Sequence, residues 1–301
     1  MTRGSGSVSI IIPNYQGYGL LEKNLPEVIV ASKNPNNDIA EIIVVDDAST
    51  DDSVNLLKRK FPQTRLILHK TNRGFVSSVN DGVGAASGEL VCLLNTDVVP
   101  SLDFLQKVLP HLKNEKIFGV SLNERGANWT WTKGIFRDGY ISYERGPKDS
   151  RVHETFWVSG GSGVFRKSLW VSLGGMDEKI FSPFYWEDLD ICYRAAKRGY
   201  RVVWEPGAEV EHKHESTMDR LSQGYVARIK ERNHLLFNWK NLTSANLFKK
   251  HLRGLMARAL KHPGYIRIVL MAIPKLGTVL AKRRQEAKEG KVSDEAILAK
   301  D

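Results

Sequence analysis

Short apolar runs and helix-spaced stretches take turns over the first hundred residues. Ser7–Pro13 is an apolar run closed by proline and the polar Asn14-Tyr15-Gln16-Gly17. Leu20–Ser32 sets Leu21, Leu25, Val28 and Ile29 on one side of a helix. Glu41–Asp46 is a second strand, running into Asp46-Asp47-Ala48-Ser49-Thr50-Asp51. That ending predicts a capped helix, with Ser49 or Thr50 as N-cap and Asp51 and Asp52 in the first turn, continued by Val54–Phe61. Leu66–His69 is a third strand, and Val76–Ala86 a helix stopped by Gly88. Leu90–Leu94 is apolar throughout, which predicts a strand buried on both faces, and it stops abruptly in Asn95, Thr96 and Asp97. This alternation predicts an α/β fold with a doubly wound, mostly parallel sheet and right-handed crossovers.

Beyond Asp97 the pattern is less regular. Leu102–Lys113 is expected as a helix and Ile117–Leu122 as a strand. Residues 124–151 mix glycine, arginine, Trp129, Trp131, Tyr140 and Tyr143 without a period, and irregular stretches of that length often carry function. Phe156–Phe165 reads as a strand around Gly160-Gly161-Ser162-Gly163, and Lys167–Leu173 as a short helix. After the aromatic-rich loop 176–186, Glu187–Arg198 has helical spacing and ends at Gly199; Val202–Trp204 and Val210 are short strands. Val226–Trp239 and Leu247–Leu260 are expected as helices. Gly264–Ala281 is apolar but holds Arg267, Pro274 and Lys275, which makes it a poor membrane span.

Charge changes this picture at one end of the chain. The formal net charge is +10 over 301 residues. Residues 228–284 carry 14 Lys/Arg and one acid, and residues 285–301 carry 3 Lys and 5 acids, so residues 1–227 are close to neutral. A neutral body with a basic helical region points to an anionic surface. Between lipid headgroups and nucleic acid, the amphipathic pattern favours a helix lying in a membrane interface. The competing reading is a helical lid packed on the domain. The expected division is 1–225 as catalytic domain, 226–284 as basic amphipathic helices and 285–301 as a disordered tail.

Several chemistries drop out. The two cysteines, Cys92 and Cys192, lie in apolar or helical contexts and make neither a disulfide framework nor a zinc site. There is no phosphate-binding Gly-x-x-x-x-Gly-Lys-Ser/Thr loop, no Gly-x-Gly-x-x-Gly after the first strand, and no nucleophile elbow at Gly160–Gly163. No secretion signal is visible in Met1–Ser7, where Gly4-Ser5-Gly6 reads as flexible, so Asn128-Trp129-Thr130 and Asn241-Leu242-Thr243 are treated as chance glycosylation matches. What remains is a set of acids: Asp46-Asp47 after the second strand, Asp97 after the fourth and Glu187-Asp188 at a helix start. Ligands of open α/β sheets sit outside the carboxyl ends of the strands. There one carboxylate can accept a base N–H, a second can hold Mg²⁺ or Mn²⁺ on a diphosphate, and a third can take a proton from a hydroxyl.

These motifs, in order, resemble family-2 glycosyltransferases of the GT-A fold, close to the rhamnosyltransferase-like enzymes of bacterial surface-polysaccharide assembly. The resemblance is carried by Ser9–Tyr15, Val44–Asp51, Asn72-Arg73-Gly74-Phe75 with Asn80 and Gly82, and Leu93–Asp97. It continues in Gly174–Glu178, Trp186-Glu187-Asp188-Leu189-Asp190, Arg194 and Gly199-Tyr200, and spans about residues 7–215. It implies a nucleotide site of Pro13, Asn14, Tyr15, Asp46, Asp47, Asn72, Arg73, Asn95 and Thr96. It implies Asp97 as metal ligand, joined by His212 near Ser216, with His214 as the fallback. It implies Asp188 as base of an inverting displacement, with Glu187 shaping the acceptor site. Trp186, with Tyr185 beside it, is the acceptor-site candidate, and Gly160 and Gly161 either bring backbone close to the sugar or form a bulged strand. Trp129, Trp131 and Tyr140 either stack on sugars or pack their loop, and His69 has no assigned role. The usual Asp-x-Asp metal motif has Asn95 in its first place, a variant found in many relatives, which leaves Asp97 as the carboxylate at the metal.

The implied activity is transfer of a sugar from a UDP- or dTDP-linked donor to a glycan or polyprenyl-diphosphate-linked acceptor. The expected setting is cytoplasmic, at the inner face of the plasma membrane, with Mg²⁺ or Mn²⁺ as cofactor and no nucleic acid. The alternative is a catalytically silent GT-A-like binding protein.

Overall fold

The computed structural model describes residues 7–125, 131–147, 149–212 and 222–298. Asn128, Trp129, Thr130, His214, Ser216 and Gly4-Ser5-Gly6 lie outside them. Three strand–helix units come first: β1 (Val8–Asn14) and α1 (Tyr18–Ser32), β2 (Ile39–Asp46) and α2 (Ser53–Lys60), β3 (Arg65–Leu68) and α3 (Phe75–Ala85). They are followed by β4 (Leu90–Leu94), β5 (Val98–Pro100), β6 (Ile117–Arg125), β7 (Thr132–Arg137), β8 (Tyr140–Arg145), β9 (His153–Glu154) and β10 (Ser162–Arg166). Then come α4 (Lys167–Ser172), α5 (Glu178–Phe181), α6 (Glu187–Lys197) and β11 (Arg201–His212). The chain ends in α7 (Gln223–Asn241), α8 (Ala245–Lys261), α9 (Ile266–Ala272), α10 (Leu276–Glu289) and α11 (Asp294–Leu298).

The main sheet runs β3-β2-β1-β4-β10-β6-β11-β5. β3, β2, β1 and β4 are parallel, and β10 enters antiparallel between β4 and β6. The chain leaves β1 toward β2 and β3, then returns to place β4 on the other side of β1. That reversal opens a crevice at the carboxyl ends of β1 and β4. Both faces of the parallel half are covered. Ile10, Ile12, Val44 and Cys92 pack under α1 and α2, while Ile11, Val45, Val91 and Leu93 pack under α3, α4 and α6. A third apolar cluster joins α5 and α6 to the β7–β8 hairpin and the C-terminal helices.

Several expectations are corrected. Helix α2 starts at Ser53 behind Asp52, not behind Ser49 or Thr50. Ser49 instead accepts from the Gln16 N–H (2.9 Å) and donates its own N–H to Asp46 (2.9 Å), tying the turn to β1. Leu102–Lys113 is a series of turns ending in a 3₁₀ turn at His111–Lys113. Pro110 removes a donor there and disfavours helical backbone at Leu109. Within the unpatterned stretch 124–151, β7 and β8 form a hairpin whose two-residue turn, Asp138-Gly139, has φ of 52° and 86°. Positive φ at both central positions is what an Asp-Gly hairpin turn supplies. Only Ser162–Arg166 of the expected strand 156–165 is extended into the sheet, and Val202–Val210 is one long strand rather than two.

The largest departure is at the C-terminus. α7 is built into the domain, with Ile229, Leu235, Leu236 and Phe237 buried. The expected disordered tail is helical through Glu289 and again at Asp294–Leu298. Asp294 is buried and pairs with the equally buried Lys197 (2.8 Å). It also accepts the backbone N–H groups of Thr243 and Ser244, both at 2.7 Å. Glu286, buried in α10, pairs with Arg198 (2.7 Å). Removing one partner of a buried pair strands the other charge. Asp294→Ala is therefore expected to cost roughly 3–5 kcal/mol, read by chemical denaturation; a loss below 1 kcal/mol on the same scale would mean that the C-terminal segment does not dock.

Candidate active site

A cavity of about 530 Å³ opens at the crevice. Pro13, Asn14 and Tyr15 line it from the end of β1, Asp47 from β2, and Asn95, Thr96 and Asp97 from β4. Asn72 lies on a further wall, and Gly160, Gly161, Glu187 and Asp188 close the far side. Gly161 lies close against Asn95: a Cβ there would stand 2.4 Å from the Asn95 side-chain nitrogen and force that amide to move. The close approach lets Gly161 O accept the Asn95 N–H at 2.9 Å, tying β4 to the loop before β10.

Asp46 and Arg73 line neither this cavity nor its neighbour. Asp46 accepts from Asn14 Nδ2 (2.7 Å) and Ser49 N, which shapes the turn. Arg73, which is exposed, bridges Asp81 (2.6 Å) and Glu178 (3.1 Å), whose carboxylates outweigh its partial desolvation and raise the proton affinity of its guanidinium. Asp47 accepts the backbone N–H groups of Arg73 (2.8 Å) and Gly74 (2.7 Å), fixing the loop before α3. His69 braces it: Nδ1 is 2.7 Å from Asp47 and Nε2 is 2.9 Å from Asp81. The sequence reading gave His69 no role, although it stands directly after β3, where strand-end chemistry is expected.

Asp97 is 2% exposed. Its Oδ1 lies 3.3 Å from Nε2 of His212, whose Nδ1 is 3.1 Å from Glu124. Sheet register explains the meeting. His212 at the end of β11 pairs with Val98 in β5, one residue past Asp97, and Glu124 in β6 pairs with Val210. Glu124 escaped the sequence reading because β6 runs three residues further than its apolar run. Among the described residues no group of three or more His, Cys, Asp and Glu has metal-binding spacing. However, Asp97 Oδ2 is buried without a hydrogen-bond partner. An orphaned carboxylate oxygen beside an imidazole fits one flank of a divalent-cation site completed by ligands from outside the chain.

Glu187 and Asp188 begin α6. Burial, with Asp188 next to it, holds the Glu187 carboxyl well above the usual carboxylate range. Burial also raises Asp188, against the opposing N–H groups of Leu189 (2.8 Å) and Gly160 (3.3 Å). Of these two adjoining acids Glu187 is raised the further, so it keeps a proton in preference to Asp188. Asp188 also lines a second cavity of about 420 Å³, together with Trp186, His212, Tyr143, Trp157 and Trp204. Trp131 and Tyr140 are buried: Trp131 stacks on His153 and Tyr140 packs on His251, so they hold their loop in place.

The fold is that of the GT-A glycosyltransferases. The structure of GalNAc-T7 with UDP, GalNAc and Mn²⁺ superposes with a TM-score of 0.62 at 14% identity, covering 87% of this chain and 57% of that one. Residues 9–172 match the model of glycosyl transferase family 2, and the chain belongs to that family. It is 29% identical over 190 residues to the pre-mycofactocin glycosyltransferase of Mycobacterium tuberculosis, covering 59% of this chain and 38% of that protein. It is 25% identical over 227 residues to the N-acetylglucosaminyl-diphospho-decaprenol L-rhamnosyltransferase of the same organism, covering 64% of this chain and 71% of that one. The chain thus spans less than half of the first relative and about seven-tenths of the second.

Burial opposes charge on His212, but Asp97 and Glu124 outweigh it and raise the ring to about 9. Because this exceeds the ordinary value of 6.5, the ring's stabilisation is complete below about pH 6.5 and is lost as pH rises through 9. In ligand-free protein the His212 ring resonances should titrate with a midpoint near 9, and Glu124→Gln should lower that midpoint. A midpoint at the ordinary value in both proteins would remove the triad.

Proposed function

We propose that the protein is an inverting glycosyltransferase. It moves a sugar from a UDP- or dTDP-linked donor to a hydroxyl of a glycan or polyprenyl-diphosphate-linked acceptor in cell-surface polysaccharide synthesis. The observation that carries this reading is the place of Asp188, which lines both cavities. The first is assigned to the nucleotide, against Pro13, Asn14, Tyr15, Asp47, Asn72 and Thr96. The second is assigned to the acceptor, whose sugar faces would meet Tyr143, Trp157, Trp186 and Trp204. The acceptor oxygen attacks the anomeric carbon from the side opposite the diphosphate. Asp188 takes the hydroxyl proton, and the anomeric C–O bond breaks with its electron pair leaving on the diphosphate. Glu187, which keeps its proton in preference to Asp188, shapes the wall. Asp97, with His212 once its ring has given up its proton, would hold Mg²⁺ or Mn²⁺, which would supply positive charge to the leaving diphosphate. Support for nucleotide and cation comes from the GalNAc-T7 complex with UDP and Mn²⁺, and for a lipid-linked acceptor from the rhamnosyltransferase relative.

Asp188→Asn is expected to keep UDP binding and lower transfer ~10²–10⁴-fold. Glu187→Gln, which copies a neutral side chain, should stay within about tenfold of wild type. Both are read as turnover across a panel of nucleotide sugars with Mn²⁺. Near-normal turnover by Asp188→Asn removes Asp188 from its role.

A cytoplasmic site at the inner face of the plasma membrane is part of the proposal. Its support is an exposed ridge on α8–α10. Leu252, Met256 and Leu260 in α8 and Ile266, Leu270, Ile273 and Leu280 after it are all exposed, Met256 at 64% and Leu260 at 81%. Exposed Lys249, Lys250, Arg253, Lys261 and Arg267 flank it. Contrary to the sequence expectation, an 18-residue window within Pro263–Glu289 reaches a mean hydropathy of 1.4, enough by length and composition to cross a membrane, a test that core helices of soluble proteins also pass. The ion pair of Glu286 with Arg198 ties its end to the domain and favours lying on a surface. Sedimentation with phosphatidylglycerol-containing vesicles, but not with pure phosphatidylcholine, is expected, and Met256→Glu with Leu260→Glu should abolish it. No sedimentation by wild type, or none lost in the double variant, would retire the membrane assignment.

A further inference from the structure

The chain reaches Asp188 through a costly bend. Tyr185 and Trp186 both have positive φ, 72° and 77°. Bulky residues are strained there and persist only where their surroundings over-determine them. The constraint comes from three consecutive residues of α7. Asn233 is wholly buried, and its Nδ2 donates to the carbonyls of Phe181 (2.7 Å), Phe184 (2.8 Å) and Tyr185 (3.0 Å). Two protons face three acceptors, so one proton is shared. Its Oδ1 accepts from Arg232 Nε (3.0 Å) and Nη2 (2.8 Å), and Nη2 also donates to the Ser182 carbonyl (2.8 Å). The His234 ring stacks on Trp186 at 4.1 Å and 5°. Trp186 O in turn accepts the Asp190 N–H (2.9 Å), so the first turn of α6 is built on the residue these contacts hold.

We propose that Asn233 is a positioning residue for sugar transfer, its amide fixing the backbone of residues 181–186 so that Asp188 stays at the junction of the two cavities. This rests on Asp188 acting as the base. The chemistry demands an amide: it must present N–H to the loop and an oxygen to Arg232 at once. Aspartate has the same shape but would set a carboxylate oxygen against three carbonyls. Asn238 supplies the comparison. It too is wholly buried in α7, but it accepts from the Ile141 N–H (2.8 Å) and donates to His234 O (2.8 Å), away from the 181–186 bend.

The test sets Asn233→Asp beside Asn238→Ala. Hydrogen exchange of amides 181–188 should quicken at least tenfold in Asn233→Asp and stay near wild type in Asn238→Ala, although both lose thermal stability. The kcat for transfer should fall at least tenfold in Asn233→Asp, with the donor KM and the Kd for UDP with Mn²⁺ within about threefold. Asn233→Ser, which keeps one donor, should lie between the two and serves if the aspartate variant does not fold. Equal effects of the Asn233 and Asn238 variants on exchange and kcat, or UDP affinity falling by the same factor as kcat, would overturn the assignment. If wild type turns over no nucleotide sugar, the proposed transfer fails by itself, while the exchange comparison still decides whether Asn233 holds the bend.

Discussion

The carboxylate of Asp190 is the point on which the reactive end of the molecule is hung. It is wholly buried two residues after Asp188 and accepts from Arg194 (2.8 Å), Lys240 (2.7 Å) and Asn241 (2.8 Å). Burial alone would push its proton affinity up; Lys240 and Arg194 outweigh that and keep it ionised. Arg194 continues to the carbonyls of Leu173 and Gly175, and Lys240 to Asp177 (3.1 Å). One ionised carboxylate thus joins α6 to α7 and to the segment leading into α5. Buried ion pairs are weak sources of net stability, but losing one partner is expensive, so they resist sliding. A helix that must hold Asp188 at the junction of two cavities gains from that property more than from added apolar area.

The front half of the fold was legible because it is local. Run length, strand-end polarity and helical spacing are properties of ten-residue windows, and β1 to β4 with their helices appear where those windows put them. Asp97 was legible as a strand-end carboxylate for the same reason: it follows a strand that has to be buried. The meeting of Asp97 with Glu124 depends instead on the pairing of β11 with β5 and β6, which no local pattern encodes. His212 was reached by resemblance and Glu124 was missed. The β7–β8 hairpin did carry a local signal, Asp138-Gly139, which was obscured by the weak alternation of the flanking residues.

The C-terminus misled through charge. Five acids and three lysines in seventeen residues resemble a solvated tail. The partners of Glu286 and Asp294 are Arg198 and Lys197, some 90 residues earlier, so the charges that looked unpaired in sequence are paired in space. Likewise the basic residues of 228–284 divide between two jobs. Lys240 and Arg232 face inward to carbonyls and carboxylates, while Lys249, Arg253 and Arg267 stay outside. Composition gives the sum of the two groups and cannot separate them.

That division ties the C-terminal helices to the part of the chain before residue 225. A domain ending at residue 225 would retain Asp188 but lose Asn233, His234, Lys240 and Asn241, all of which hold the bend before it or the helix after it. Tyr185 and Trp186 could not keep positive φ on local preference, since nothing in their own sequence favours it. The helices that look like an appendage therefore do two things at different radii. Their inner faces set the geometry of the proposed base, and their outer faces carry the apolar and basic ridge proposed to meet the membrane. α10 and α11 also grip the C-terminal end of α6, through Arg198 and Lys197.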